Sequence, residues 1–173
     1  MASGRATRRS GSLPGLVERA SRGDADAFDA VITDRMPSAF RLAKAIVGDS
    51  HRAEDVVEEA FVSAWRNLPR LRELDRFDPW FDRILVNAAR KTGGRGSAVP
   101  VSIEADDAPT AYDPVQAAIG RLSVDQRAAL ALHHLEELPV EDVAAVLGTS
   151  AGRAESRLRD ARQALERARA AER

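Results

Sequence analysis

The sequence predicts an all-α protein built as two small helical domains joined by a flexible linker. Three observations carry this expectation. Ala53, Val56, Val57, Ala60, Phe61, Ala64 and Trp65 recur at spacings of three and four, one stripe of an α-helix. Helix-start signals recur at Asp78-Pro79 and at Ser123-Val124-Asp125-Gln126. Between them, the stretch from Thr92 to Pro114 holds three glycines and three prolines, and a structureless run of this length is unusual inside a compact domain. The expected division is an N-terminal arm over 1–13, a first domain over 14–91, a linker over 92–114 and a second domain over 115–173.

Taken in order, the Ser/Gly/Arg-rich start has the composition of a disordered arm. Leu16 to Thr33 reads as helical, interrupted at Gly23-Asp24. Pro37 suits the first turn of a new helix carrying Phe40, Leu42, Ala43, Ile46 and Val47. Gly48 fits its C-terminal cap, and Asp49 or Ser50 the N-cap of the next helix, which runs to about Asn67. Leu68 to Phe77 is a loop with Arg70, Arg72 and Arg76. Asp78 as N-cap and Pro79 at the first position then open a helix with an apolar side of Phe77, Trp80, Phe81, Ile84, Leu85 and Ala88. Aromatics at this spacing usually face inward, so Trp80 and Phe81 are read as core.

In the second half, Ser123 and Gln126 form a capping box that opens a helix to about Glu136. Pro139 begins a short helix with Val143, Ala144, Val146 and Leu147. Gly148 ends it, and a final helix runs from Ala151 to about Ala170 with Ala154, Leu158, Ala161 and Leu165 inward. A short helix, a glycine-containing turn and a longer arginine-rich helix fit a helix-turn-helix, whose second helix reads base edges.

The 173 residues include no cysteine, which removes disulfides, thiolate nucleophiles and Cys-ligated metal sites. No apolar run approaches a membrane span, and the N-terminal arginines have no apolar segment behind them, so a cytoplasmic protein is expected. The net charge of −1 gives no global basic field. The charges are segregated instead. Basic residues outnumber acids from Arg66 to Lys91 and from Arg153 onward, while acids gather at 54–59, 104–113 and 136–142. A protein gripping both DNA and another protein needs such separation.

The helix from Ala53 to Trp65 carries Glu54, Asp55, Glu58 and Glu59 opposite its apolar stripe. Like charges four apart cost a few tenths of a kcal/mol, partly offset by the dipole at the helix N-terminus. Such a face is either merely solvated or a docking surface for a basic partner. Together with the basic loop and the segment Arg76-Phe77-Asp78-Pro79-Trp80-Phe81 that follows, this helix resembles region 2 of the bacterial sigma-70 family of RNA polymerase sigma factors. The residues from Leu122 to Leu165 resemble region 4, through the Gln126-Arg127 start, the Asp142-to-Gly148 helix and Ser156-Arg157-Leu158. The closest type is the two-domain extracytoplasmic-function group.

The resemblance implies a sigma factor with no catalytic residue and no cofactor. Asp55, Glu58 and Glu59 stand where the family binds core RNA polymerase, on the clamp of the large catalytic subunit. Arg70, Arg72, Arg76, Asn87, Arg90 and Lys91 are the candidates for the −10 promoter element, where cations track the backbone and a pocket holds an unstacked base. Arg153, Ser156, Arg157, Arg159 and Arg162 are those for the −35 element, as guanine readers or phosphate contacts. The second domain would also meet the polymerase flap, and an anti-sigma factor would occlude these surfaces. Glu155 and Asp160 stand where the family commonly has bases, and the helix after Trp80 meets Thr92-Gly93-Gly94 instead of further cations. These departures motivate an alternative, a sigma-like regulator that binds polymerase or another protein without productive promoter recognition. A metal site from His133, His134, Glu136 and Glu137 with His51, Glu54, Asp55 and Glu58 is disfavoured, because helical di-iron sites use the reverse order, Glu-x-x-His. The glycine run lacks the Gly-Lys-Ser/Thr ending of a P-loop.

Overall fold

The apolar residues that recur every three or four positions fold into eight α-helices in the computed structural model, which describes residues 12–92 and 113–171. Most of the arm and of the linker lie outside the described residues. The first group of helices is α1 (Leu13–Ser21), α2 (Ala25–Val47), α3 (Ser50–Asn67) and α4 (Phe77–Thr92). The second group is α5 (Pro114–Arg121), α6 (Val124–His134), α7 (Val140–Leu147) and α8 (Ala151–Ala170). No strand occurs among the described residues.

Local chemistry sets most of the ends. Asp49 caps α3 by accepting from the Arg52 amide at 2.7 Å. Gly48 closes α2 in the left-handed region at φ 76°, and Gly148 closes α7 at φ 65°, conformations that disfavour a Cβ. The expected capping box is complete: the Gln126 amide donates to Ser123 Oγ, and the Ser123 amide donates to Gln126 Oε1. Asp113 caps α5 with Pro114 in its first turn. Ser150 caps α8.

Three boundaries depart from the sequence reading. The first helix already begins at Leu13, with Pro14 in its first turn. Pro37 does not start a helix but lies inside α2. Phe28 and Val31 before it and Ala39 and Leu42 after it are all buried on one core, and the proline itself is exposed. Packing on both sides thus outweighs the hydrogen bond that proline cannot make. Asp78 is not an N-cap. A 3-10 turn, Leu74–Arg76, runs straight into α4, so Phe77 is already helical and Asp78 falls within the first turn. Its carboxylate pairs with Arg35 of α2 instead.

The two groups of helices share one continuous core, from Val17 to Leu158. Contacts between them join α2 to α6 and α4 to both α6 and α7. Within the first group, the Phe61 and Phe81 rings meet at a tilt, 4.8 Å between centroids, and Phe77 stacks on Phe81 at 5.8 Å. Phe81 is buried and Trp80 half-buried against the same cluster, in keeping with their reading as core. In the second group, Ala154, Leu158 and Ala161 seat α8 on α6 and α7.

Candidate polymerase and nucleic-acid interfaces

The sequence-predicted residues sit on three surfaces. Asp55, Glu58 and Glu59 are exposed on α3. Their helix is held by the buried stripe Ala53, Val56, Val57, Ala60, Phe61 and Ala64, which fixes the direction in which the acids project. Trp65, the last member of that stripe, is 36% exposed. It lies against Phe28 at 4.8 Å between ring centroids. With Ile32, Met36 and Phe40 of α2, and Val57, Phe61 and Val62 of α3, it lines an open apolar groove. Asp29, Glu54, Glu58 and Arg66 form the polar margin of that groove.

Met36 and Val62, both among the few large apolar side chains left exposed, escaped the sequence reading. Val62 stands one position off the buried stripe, and Met36 beside the misread Pro37. An apolar groove with an acidic edge suits a partner that presents apolar anchors among cations.

The second surface is the basic loop and α4. Arg70, Arg72 and Arg76 are exposed, and Arg76 lies 3.6 Å from Glu73. Asn87, Arg90 and Lys91 project from the last turns of α4, beside Ser63 and Ile84 in one shallow depression. Two of them are already engaged. The Lys91 ammonium donates to Glu59 at 2.6 Å, joining a predicted DNA contact to a predicted polymerase contact. Arg90 donates to Asn87 Oδ1 at 3.1 Å, to Asp125 Oδ1 at 2.8 Å and to the Leu147 carbonyl at 2.9 Å.

The third surface is the helix-turn-helix of α7 and α8. Arg153, Arg159 and Arg162 are exposed, and Ser156 and Arg157 half-buried. Arg159 is shadowed by Glu155 at 3.5 Å. Arg157 pairs with Asp125 Oδ2 at 2.7 Å, and its Nη1 is buried without a partner.

The contact between the halves contains a residue to which the sequence reading gave no role. Arg127, at the end of the first turn of α6, is 2% exposed. It donates from Nε to the Ile46 carbonyl at the end of α2 and from Nη1 to the Leu122 carbonyl at 3.1 Å. Burial holds its proton less tightly than usual. The Ile46 carbonyl belongs to the last turn of α2, where acceptors lack intrahelical partners and the dipole favours a cation. Arg90 does the same in the opposite direction, for the Leu147 carbonyl that ends α7. Each half thus lends an arginine to a helix end of the other.

Nearby, Asp82 of α4 is held at a raised pKa of about 7, by burial first, then by Glu136 and Asp78, with Arg35 opposing. His133 Nδ1 hydrogen-bonds with the Leu138 carbonyl at 2.8 Å. The His134 ring is shifted below its usual value by burial, His133 and Arg162.

Comparison with known proteins places this architecture. Residues 31–92 match the model of Sigma-70 region 2, and residues 112–165 that of Sigma-70, region 4. The chain belongs to the sigma-70 family of RNA polymerase sigma factors. It is 32% identical to the RNA polymerase sigma-H factor of Pseudomonas aeruginosa, over 88% of this chain and 91% of that one. It is also 32% identical to the extracytoplasmic-function (ECF) sigma factor SigM of Mycobacterium tuberculosis, over 84% and 78%. It is therefore a sigma factor of the ECF group. Among solved structures, CnrH in complex with the cytosolic domain of CnrY superposes with a TM-score of 0.71 at 25% identity, over 92% of this chain and 98% of that one. Among the described residues, no helix is long and apolar enough to cross a membrane.

Proposed function

We propose that this chain acts in the cytoplasm as a promoter-specificity factor. It binds core RNA polymerase, catalyses no reaction itself, and selects promoters through two separate DNA-reading surfaces. Residues 14–91 form the unit that holds polymerase and opens the −10 element. Residues 115–173 form the unit that docks on the −35 element and the polymerase flap, with 92–114 as the tether between them.

The observation that carries this reading is the α2–α3 face. Glu58 stands at the margin of the apolar groove of Met36, Val62 and Trp65, with Asp55 and Glu59 exposed on the same helix. Apolar anchors supply affinity there, and the carboxylates steer and discriminate. The clamp of the large catalytic subunit is the occupant that the family relationship implies. Arg70, Arg72, Arg76, Asn87, Arg90 and Lys91 serve the −10 element, where an unstacked base needs a pocket and its backbone needs cations. Arg153, Ser156, Arg157, Arg159 and Arg162 serve the −35 element, from the N-terminal part of the recognition helix. An anti-sigma factor is the expected antagonist, supported by the solved relative whose structure is a complex of that kind, RpoE of Bartonella quintana with the anti-sigma factor NepR.

The test is binding of labelled protein to core RNA polymerase, with Asp55→Lys, Glu58→Lys and Glu59→Lys combined as the comparison. Tight binding by the unaltered protein, lost in a variant of unchanged helix content, is the expected result. Absence of binding by the unaltered protein would overturn the reading.

A further inference from the structure

Where α2, α5, α6 and α8 meet, the packing leaves a cleft of about 620 Å³, within the range of small-molecule sites. Its floor is apolar: Ala45 of α2, Ile119 of α5, Leu130 and Leu135 at the end of α6, and Leu165 of α8. Leu135 is left 47% exposed there, so part of that floor is uncovered. The rim is cationic. Lys44, Arg162 and Arg169 stand on it against a single carboxylate, Glu166. Among the described residues, none of these three cations has an ion-pair partner.

A second observation comes from the wall of the same cleft. Arg127 lines it and is 98% buried, the complement of its 2% exposure. Its Nε and Nη1 donate to the Ile46 and Leu122 carbonyls, but Nη2 is buried with no acceptor. Both acceptors are neutral, and among the described residues no carboxylate pairs with this guanidinium. A buried cation ordinarily has an anion beside it, because burial without one is costly. The chain supplies none here. It supplies instead three more cations at the entrance, which raise the local concentration of any anion.

The surroundings narrow the class of anion. A free phosphate would leave the apolar floor bare. An amphipathic helix would cover the floor, but it carries its acids on the face opposite its apolar stripe, away from a donor buried in the wall. A single-chain carboxylate has its charge at the end of a flexible apolar tail, so head and tail can both be satisfied. We propose that this cleft is a binding site for a fatty acid. Arg127 and the rim cations hold the carboxylate, and the alkyl tail lies over Ile119, Leu130, Leu135 and Leu165. Arg162, a −35 candidate, is shared with this site, but no residue of the α2–α3 groove is. Fatty-acid binding and docking on the polymerase clamp therefore stand or fall separately.

The experiment titrates the full chain with octanoate, decanoate and dodecanoate by calorimetry, below the concentrations at which they form micelles. Saturable binding of one dodecanoate per chain is expected. Affinity should rise by about tenfold for each added pair of methylenes, as burial of the tail requires. Dodecyltrimethylammonium, with the same tail and a cationic head, should show no saturable binding. Dodecanoate should also raise the thermal midpoint, since it binds the folded chain alone. Ala45→Phe fills the cleft from its α2 side and should weaken dodecanoate binding by at least tenfold. No saturable binding, equal binding of the cationic amphiphile, or equal binding by Ala45→Phe overturns the proposal.

Should Ala45→Phe lose helix content, Leu135→Gln is read in its place, because that side chain is already exposed and little of the core depends on it. It should weaken dodecanoate about threefold or more, through lost apolar contact with the tail. Affinity unchanged by Leu135→Gln overturns the site. An acidic amphipathic helical peptide is titrated alongside. Peptide binding that Leu135→Gln weakens, with no binding of dodecanoate, would overturn the fatty acid in favour of a protein occupant.

Discussion

The α3 face and the α4 face of the first half carry similar densities of charge and meet different fates. On α3, Asp55 and Glu58 are exposed, Glu58 at the margin of an apolar groove. On α4, Arg90 is drawn into the second half, bound to Asp125 and to the end of α7, and Lys91 folds back onto Glu59. One helix of the bundle therefore offers its functional surface ready-made, while its neighbour offers one already occupied by the chain itself. Polymerase docking should then need no rearrangement of the halves, whereas DNA reading should. The interface also differs in its chemistry. The groove is apolar with a charged margin, but the contact between the halves is held by arginines on helix-terminal carbonyls, set in a shared apolar core.

The largest effect should come from Arg127, which serves only the second kind of surface. Arg127→Met fills the space but leaves the Ile46 and Leu122 carbonyls without their donor. A cost of about 3 kcal/mol is expected, read as a lower thermal midpoint and a wider separation of the halves. Unchanged stability would mean that the buried guanidinium costs as much as it contributes.

Trp65→Ala tests the opposite surface. Loss of an aromatic anchor should weaken core polymerase binding by about 2 kcal/mol, roughly 30-fold, with the distance between the halves unchanged. Equal binding by this variant would move the docking site off the groove and onto the acids alone.

The pH dependence sharpens the comparison further, because Asp82 faces Glu136 of the second half as well as Asp78 and Arg35. Its raised pKa means that the closed fold tolerates the protonated carboxyl and is penalised by the ionised one. The penalty is absent below the ordinary value near 3.8, grows as pH rises, and is complete above about 7. Stability should therefore fall between about pH 4 and pH 7 as this carboxyl ionises. Asp82→Asn should flatten that slope in thermal scans across the range. A slope unchanged by the substitution would assign the titration elsewhere.

The smallest effect belongs to the exposed part of α8. Glu155→Gln removes the carboxylate beside Arg159 and should raise duplex affinity by a few tenths of a kcal/mol, about twofold at low salt. An unchanged affinity would mean that Glu155 does not screen Arg159 from the duplex.

Much of this was legible from residue spacing and caps. The buried stripe of α3, the cap at Asp49, the capping box at Ser123 and the glycine ends at Gly48 and Gly148 depend on neighbours within a few residues, and local patterns report local bonds. Pro37 and Asp78 were misread for the converse reason. Each carries a strong local start signal that was overridden by distant packing, the core on both sides of Pro37 and the turn that runs into α4 before Asp78. Met36 and Val62 looked like stray apolar residues because a groove is a property of two helices together.

By itself the sequence determined that the chain is helical, that its helices fall into two groups, and which side chains carry the acidic and basic surfaces. Periodicity and charge are written residue by residue, so these features survive without a fold. Only the tertiary structure decided which charges remain available. Arg90 and Arg157 meet on Asp125 across separations of 35 and 32 residues, and Arg127 reaches Ile46 across 81. No local pattern encodes such pairings, because they join different helices that only packing brings together: Arg90 and Arg127 reach across the two groups, and Arg157 reaches Asp125 within the second.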